Sequence, residues 1–396
     1  MIKVIAQKIF LALRTRLIPN SLVAPIYDVF SRGDEIIPDA LLIYRAMPFH
    51  LNPEHPAFFF HQSMIQSRLI ASALDHVGYR VDVVDHTRQN DIPHKSYGIV
   101  ISHNSTINPN HPSFEKSTKI YLASGTEHKI HNERQTKRLN DFTSRKGQHD
   151  IELIWDIEEM AFTDGADAIF CFGNDAVADT WRTRFTCPVF AFHNTALREI
   201  NYLRNNLRTD SKHFLFLGSR QQLAKGLDLL LESFFETPDL HLHICGHYLK
   251  DRGFCRAYEK ILFNSRNIHS HGWVDVTSRR FKEIASKCMF TISASCAEGS
   301  PGSITNAMKL GIIPILAREA GINGDDGVII MNDLSIEGIK YMIRKCSTET
   351  PERLSKLSLE ATQRAERDFT ESAFKKRWIE MIEDVVRTAI MNDQKQ

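Results

Sequence analysis

The feature that most narrows what this chain can fold into is an alternation: short apolar runs rich in β-branched residues, separated by longer stretches with helical periodicity. In the first half the runs are Ala40–Tyr44, Arg80–Val84, Tyr97–Ser102, Lys119–Ala123, Ala168–Phe172 and Pro188–Phe192, and Gln62–His76 is the clearest helix among them. A more regular series starts at His213. Its strands are His213–Leu217, His241–Cys245, Asn267–His271, Met289–Ala294, Ile312–Leu316 and Val328–Met331. Helical patterns fill the gaps at Ala224–Glu236, Asp251–Phe263, Thr277–Lys287, Ser303–Leu310 and Ser335–Cys346. Strand, helix and strand in that order argue for a parallel sheet covered on both faces. Two such series predict an α/β chain of two Rossmann-like, doubly wound domains. They are expected to face a cleft at the carboxyl ends of their strands, where ligands of open sheets bind.

A length of 396 residues supports two domains. The expected division is 1–37 for an N-terminal basic helix and linker, 38–204 and 205–368 for the two domains, and 369–396 for a closing helix. The polar stretch Asn205–Lys212 suits the connection between domains. Thr370 is placed to cap the last helix, with Phe369 and Phe374 as a hydrophobic staple. Phe374, Trp378, Met381 and Val385 then mark one face. The charged stretch Glu127–Asp150 breaks the alternation and reads as either a mobile loop or a solvated helix.

Composition enters where it excludes. With 42% hydrophobic and 24% charged residues the chain is neither a collagen, a disulfide mini-protein nor a disordered tail. Lys plus Arg (49) against Asp plus Glu (48) leaves +1, so no global field points to nucleic acid as a partner. Seven cysteines with no C-x-x-C pair read as the reduced thiols of a cytosolic protein. No stretch approaches about 18 uninterrupted apolar residues, so no bilayer span is expected. In Met1–Asn20, Lys3, Lys8, Arg14 and Arg16 precede the first acid, Asp28, and Ile2, Ile5, Ile9 and Leu13 recur at helical spacing. That segment reads as a basic amphipathic helix on the anionic inner face of a membrane, or as a helix packed on its own domain.

Two loops of the second half carry chemistry. Gly218-Ser219-Arg220-Gln221-Gln222-Leu223-Ala224-Lys225-Gly226 leads from a strand into a helix. Glycine lets main chain approach a ligand, a helix start offers free N–H groups, and Arg220 and Lys225 add cations, which together suit a diphosphate. A plain strand-to-helix turn with surface cations is the plainer alternative. The second loop, Ser295-Cys296-Ala297-Glu298-Gly299-Ser300-Pro301-Gly302-Ser303, places a lone acid, Glu298, at a strand tip and Ser303 where a helix N-cap belongs.

With these loops the chain resembles the donor-binding domain of retaining family-4 glycosyltransferases of the GT-B fold. The resembling pieces are FLFLGSRQQLAKGLDLLLESF, LHLHICG, IHSHGWVD and AEGSPGSITNAMKLGIIPILAREAGI, between Phe214 and Gly321. The first half resembles that family through alternation alone. The resemblance implies that 38–204 binds the acceptor and 205–368 a nucleotide-diphosphate sugar, with the closing helix returning to the first domain. It implies that Arg220 and Lys225 neutralise the diphosphate, that the main chain near Trp273 and Val274 holds the nucleobase, and that Gly218, Ser219 and Gly246 belong to the same substrate-binding set. Glu298, matching the first glutamate of an E-x7-E element, is implied to contact the sugar, with Gly299, Ser300, Gly302, Ser303 and Ile304 around sugar and phosphates. The second glutamate of that element is Asn306 here, which can still meet hydroxyls but without charge.

Two departures accompany these matches. The Gly218-to-Lys225 gap is one residue longer than the family's, and Met47 to Pro56, followed by Phe58, Phe59, Phe60 and His61, stands where a glycine-rich loop is usual. A strand-end histidine facing the donor sugar is implied as well. His128 fills that place, with His103 as its rival. His241 with His243, and His269 with His271, alternate on strands with no cysteine or carboxylate at ligand spacing, so they read as structural and no metal is expected. The resulting expectation is a retaining, metal-independent hexosyltransferase without a cofactor. Its substrates would be a nucleotide-sugar donor and a glycan or lipid-linked acceptor of cell-surface polysaccharide synthesis. The rival readings are a nucleotide-sugar-binding pseudoenzyme and another enzyme of the same architecture, such as a sugar epimerase or a phosphorylase.

Overall fold

A computed structural model describes residues 20–52, 55, 61–151, 153, 160–200 and 210–393. The amphipathic stretch Met1–Asn20 lies outside them save for Asn20, as do Phe58, Phe59 and Phe60 and most of the Asn205–Lys212 connection. Among the described residues, two compact units are distinguished: Met1–Leu122, Glu159–Ile169 and Lys375–Gln396 in one, Ala123–Glu158 and Phe170–Phe374 in the other.

Both expected strand series form. β1 (Asp39–Tyr44), β2 (Arg80–Asp85), β3 (Ile99–Ser102), β4 (Thr118–Ala123), β5 (Ala168–Phe172) and β6 (Val189–Phe192) make one six-stranded sheet in the order β2-β1-β3-β4-β5-β6. β1, β3 and β5 are almost fully buried, as the near-continuous apolar runs require of a sheet covered on both faces. α1 (Ser63–His76) fills the gap between β1 and β2, where the helical periodicity placed it. The second sheet orders β7 (His213–Gly218), β8 (His241–Gly246), β9 (Ile268–Gly272), β10 (Phe290–Ser293), β11 (Ile313–Ala317) and β12 (Ile329–Met331) as β12-β11-β10-β7-β8-β9. Its registered pairs are parallel, and Phe214, Phe216, Leu242, Ile244, Phe290 and Ile315 build its core.

The connections refine several expectations. Glu127–Asp150 is neither a loop nor fully solvated: α2 (His128–Lys146) forms there, with Phe142 buried in the core of the second sheet. The Glu127 side chain caps it by accepting the Ile130 N–H. α3 (Asp175–Arg182) follows β5 and is capped by Asn174. The helix expected from Ala224 starts later, as α4 (Leu227–Phe235), because Gly226 turns the chain at φ 74°. The expected Asp251–Phe263 helix divides at Tyr258 into α5 (Arg252–Ala257) and α6 (Glu259–Asn264). Tyr258 leaves helical geometry at φ −117°, ψ 16°, buried with its hydroxyl donating to Glu232. α7 (Arg279–Ala285), α8 (Gly302–Lys309), α9 (Ile336–Ser347), α10 (Pro351–Asp368) and α11 (Glu371–Asp393) complete the chain. Thr370 does accept the Ala373 N–H at the head of α11, as the capping pattern predicts. No helix among the described residues is long and apolar enough to cross a membrane.

The strand histidines form one structure rather than separate pairs. His213, His241, His243, His269 and His271 share a face of β7, β8 and β9, with His241 stacked on His213 at 4.5 Å and His243 on His269 at 4.4 Å. Nitrogens meet at 2.9 Å between His213 and His243, 3.0 Å between His243 and His271, and 3.1 Å between His241 and His269. Within the ladder His243 meets two ring nitrogens and the other four imidazoles one each, contacts that a neutral imidazole makes with one donor and one acceptor nitrogen. No group of three or more metal-ligating side chains occurs among the described residues.

Candidate functional site

The first chemical loop leaves β7 at Gly218. Gly218 and Gly246 are register partners at the ends of β7 and β8, and a side chain on Gly246 would strike the Gly218 carbonyl. Glycine there brings the two strand ends together. Ser219 and Arg220 are exposed, and Gln221 adopts a left-handed φ of 61°. At Gly226 a β-carbon would meet the Ala294 carbonyl, so the turn requires both the positive φ and the missing side chain. The turn delivers Lys225 to Glu298: Nζ and Oε1 form an ion pair, with the two side chains 19% and 20% exposed.

The second loop is laced by main chain on both sides. The Cys296 N–H donates to Ala224 at 2.9 Å, Glu298 N–H to Glu319 at 3.1 Å and Ser300 N–H to Ala320 at 3.2 Å. Ser300 takes a left-handed φ of 52°, a strain of about 1–3 kcal/mol that this lacing must hold. Its hydroxyl accepts the Asn194 N–H at 3.2 Å and lies 3.3 Å from His193 Nδ1. Ser303 does not cap α8. Pro301 occupies that position and no side chain caps the helix, because the chain is already helical at Gly302. Gly302 and Ser303 thus contribute the opening amides of α8 beside Glu298, the arrangement that suits an anion. Ile304 is buried beneath.

The end of β4 reaches the same loop. A β-carbon on Gly299 would lie 2.5 Å from Gly125 Cα and 2.6 Å from the carbonyl oxygens of Ser124 and Phe172. Thr126 Oγ1 donates to the Glu298 carbonyl at 3.3 Å. His128 follows as the first residue of α2, its ring edge-on to Trp181 at 5.4 Å, while Trp181 Nε1 donates to Gly125 at 2.7 Å. Its rival His103 belongs to the other unit, where Nδ1 lies 2.9 Å from the Leu122 carbonyl and the ring packs on Tyr44. Trp273 is 47% exposed, its ring parallel to that of His247 at 5.8 Å, and Val274 is buried. Burial holds His247 below its ordinary pKa, helped by the charges of Lys250 and Arg220.

A strap over α8 carries no sequence signal of its own. Residues His193 to Arg198 run along that helix: the Thr195 carbonyl accepts Thr305 Oγ1 at 3.2 Å and the Leu197 carbonyl accepts Lys309 Nζ at 2.9 Å. Asn306, 4% exposed, accepts the Leu197 N–H on Oδ1 at 2.8 Å. One acceptor of the residue that replaces the second E-x7-E glutamate is therefore committed to the protein itself.

Residues 199–363 match the family described as glycosyl transferases group 1. Among solved structures, sucrose-phosphate synthase from Thermosynechococcus elongatus superposes with a TM-score of 0.62 at 13% identity, over 89% of this chain and 100% of that one. HepE from Anabaena, solved with UDP and glucose, gives 0.54 at 10% identity over 88% and 100% of the two chains. WaaG, described as a glycosyltransferase involved in lipopolysaccharide biosynthesis, gives 0.53 at 13% over 86% and 98%. No curated protein matches the chain. Identities this low establish a shared fold: the chain has the two-sheet GT-B architecture of these structures. The glycosyl transferases group 1 match covers residues 199–363, less than half of the chain.

Proposed function

We propose that the chain transfers a sugar from a nucleotide-diphosphate sugar to a glycan or lipid-linked acceptor, with retention and without a divalent metal. The observation that carries this reading is the Lys225–Glu298 pair beside the uncapped start of α8. In such a transfer the bond from sugar C1 to the diphosphate oxygen breaks, and its electron pair leaves with the diphosphate. The acceptor oxygen bonds to C1 from the same face, and its proton passes to the leaving phosphate oxygen. Lys225, Arg220 and the amides of α8 would meet the growing negative charge, while the Glu298 carboxylate would meet the positive charge on the sugar. A UDP-sugar is the first donor to try, since HepE of the same fold was solved with UDP and glucose. The likeness in fold to WaaG supports a cell-surface glycan as acceptor class.

The test combines a thermal-shift screen against UDP, GDP and ADP with donor turnover, product anomer by NMR, and rate with and without EDTA. Stabilisation by one nucleotide, an unchanged anomeric configuration and an EDTA-insensitive rate are expected. An inverted product or loss of activity in EDTA would overturn the corresponding part. A second reading, a binder without turnover, draws on Asn306, whose Oδ1 is taken by Leu197. Stabilisation without turnover of any matching donor would favour it.

A further inference from the structure

We propose that a second anion site, sharing with the two loops only Cys296 of the second, lies in the cationic pocket between α2 and the start of α9, and that it takes a phosphate-bearing ligand. The cavity measures about 610 Å³, and Arg134, Lys137, Arg138 and Arg145 line it against two acids, Asp141 and Glu319. The cations are not equivalent. Arg145 is committed beneath the pocket, to Asp228 at 2.6 Å and to Glu232. Arg138 is 7% exposed, and its Nη2 donates to the Ala294 carbonyl at 3.1 Å. Its Nη1 has no hydrogen-bond partner among the described residues and stands 3.9 Å from Asp228 Oδ1, which is equally unpartnered. Arg134 and Lys137 face the cavity with no ion pair among the described residues.

Other groups add to the same field. Ser335, the N-cap of the twelve-residue α9, lines the pocket, so the positive end of that helix opens there. Cys296 lies in the wall, and although burial pushes its thiol pKa up, Arg138 and Arg134 both act against that rise. The lining carries an excess of two positive charges, and a phosphate monoester brings about −1.5 to −2 at neutral pH. Guanidinium groups suit its oxygens through paired N–H donors. None of the residues assigned to the donor lines this cavity, so the inference stands independently of the transfer reading.

The test is calorimetric titration of inorganic phosphate into the full chain at low salt, where surface charge is least screened. Three proteins are compared: the unaltered chain, Arg220→Ala/Lys225→Ala to silence the donor loop, and Arg134→Ala/Lys137→Ala. One saturable site should persist in the donor-loop variant and weaken at least tenfold in the pocket variant. Lys137→Glu alone, at an exposed position, should weaken it too and serves if the double variant does not fold. Binding that is absent in the unaltered chain, survives the pocket changes, or vanishes with the donor-loop changes overturns the proposal. Kinetics then separate the sources of phosphate. A phosphorylated acceptor predicts a raised KM for that acceptor alone in the pocket variant. A free effector predicts unchanged KM values and loss of the rate response to added phosphate. If neither changes, the pocket has no phosphate ligand in turnover and the proposal fails.

Discussion

At the scale of single residues, the meeting of Lys225 and Glu298 carries most consequence. The two lie far apart in sequence, yet each sits just past a strand end, and β7 and β10 are neighbours in the sheet. Glu298→Gln keeps the shape and hydrogen-bonding capacity while removing the charge that would face a cationic sugar. The expected outcome is a kcat about 10²-fold lower with donor affinity changed less than about threefold. Steady-state kinetics with a donor binding titration checks it, and a near-normal kcat would take Glu298 out of the chemistry. Both residues were legible in sequence because strand tips in open α/β sheets are where ligands gather. The partners of Ser300 and Asn306 were not. Asn194 and Leu197 reach Ser300 and Asn306 from more than a hundred residues away in sequence through main-chain N–H groups that almost any residue type carries, and His193 reaches Ser300 through its ring.

At the scale of elements, the histidine ladder links the second sheet to proton concentration. Burial, the neighbouring imidazoles and Lys287 hold His243 down to about 2 and His269 down to about 4. Burial lowers His213 and His271 as well, Lys287 adding to both and Arg280 to His271, while Asp210 pulls the other way at His213. The unfolded chain takes up these protons near pH 6.5. Stability from the ladder is therefore fully present above about pH 6.5 and is lost as pH falls toward the folded values. The slope reaches about 1.4 kcal/mol per pH unit for each imidazole kept neutral. Urea midpoints at pH 7.5 and 5.5 should drop for the unaltered chain and converge for His243→Gln/His269→Gln. Equal drops in the two proteins would show that the ladder is not the proton-sensitive element. Period-two spacing put each pair on one face of its strand. That the faces of β7, β8 and β9 coincide is set by sheet order, which the sequence does not spell out.

For the molecule as a whole, the alternation was enough to place every strand of both sheets within a few residues, because buried parallel strands must be apolar along their length. Glu127–Asp150 was harder to read, since α2 buries only Gln135, Arg138 and Phe142, too few to leave a periodic signature. The charge balance of +1 likewise conceals a helix whose cations gather at one cavity. The basic stretch before Ser21 yields a prediction on this scale. Four basic residues at roughly 1 kcal/mol each near an anionic surface, with the apolar positions Ile2, Ile5, Ile9 and Leu13, would give reversible membrane binding. The full chain should sediment with anionic vesicles at low salt. A chain starting at Ser21 should stay in the supernatant while keeping its thermal unfolding temperature. If the full chain never sediments, or the shortened one unfolds, the segment serves the fold.

The facing glycines, Gly125 and Gly299, act as a mechanical stop. Where two side chains meet, the gap between their backbones follows whichever rotamers they hold, and it drifts with temperature and with sequence. Here backbone rests on backbone, so the closest approach of the β4 end to the Glu298 loop is set by atomic radii. A methyl group added at either glycine shifts that stop by its own thickness. Glu298, one residue away, moves with it, so the aim of its carboxylate is gauged by the smallest residues in the site.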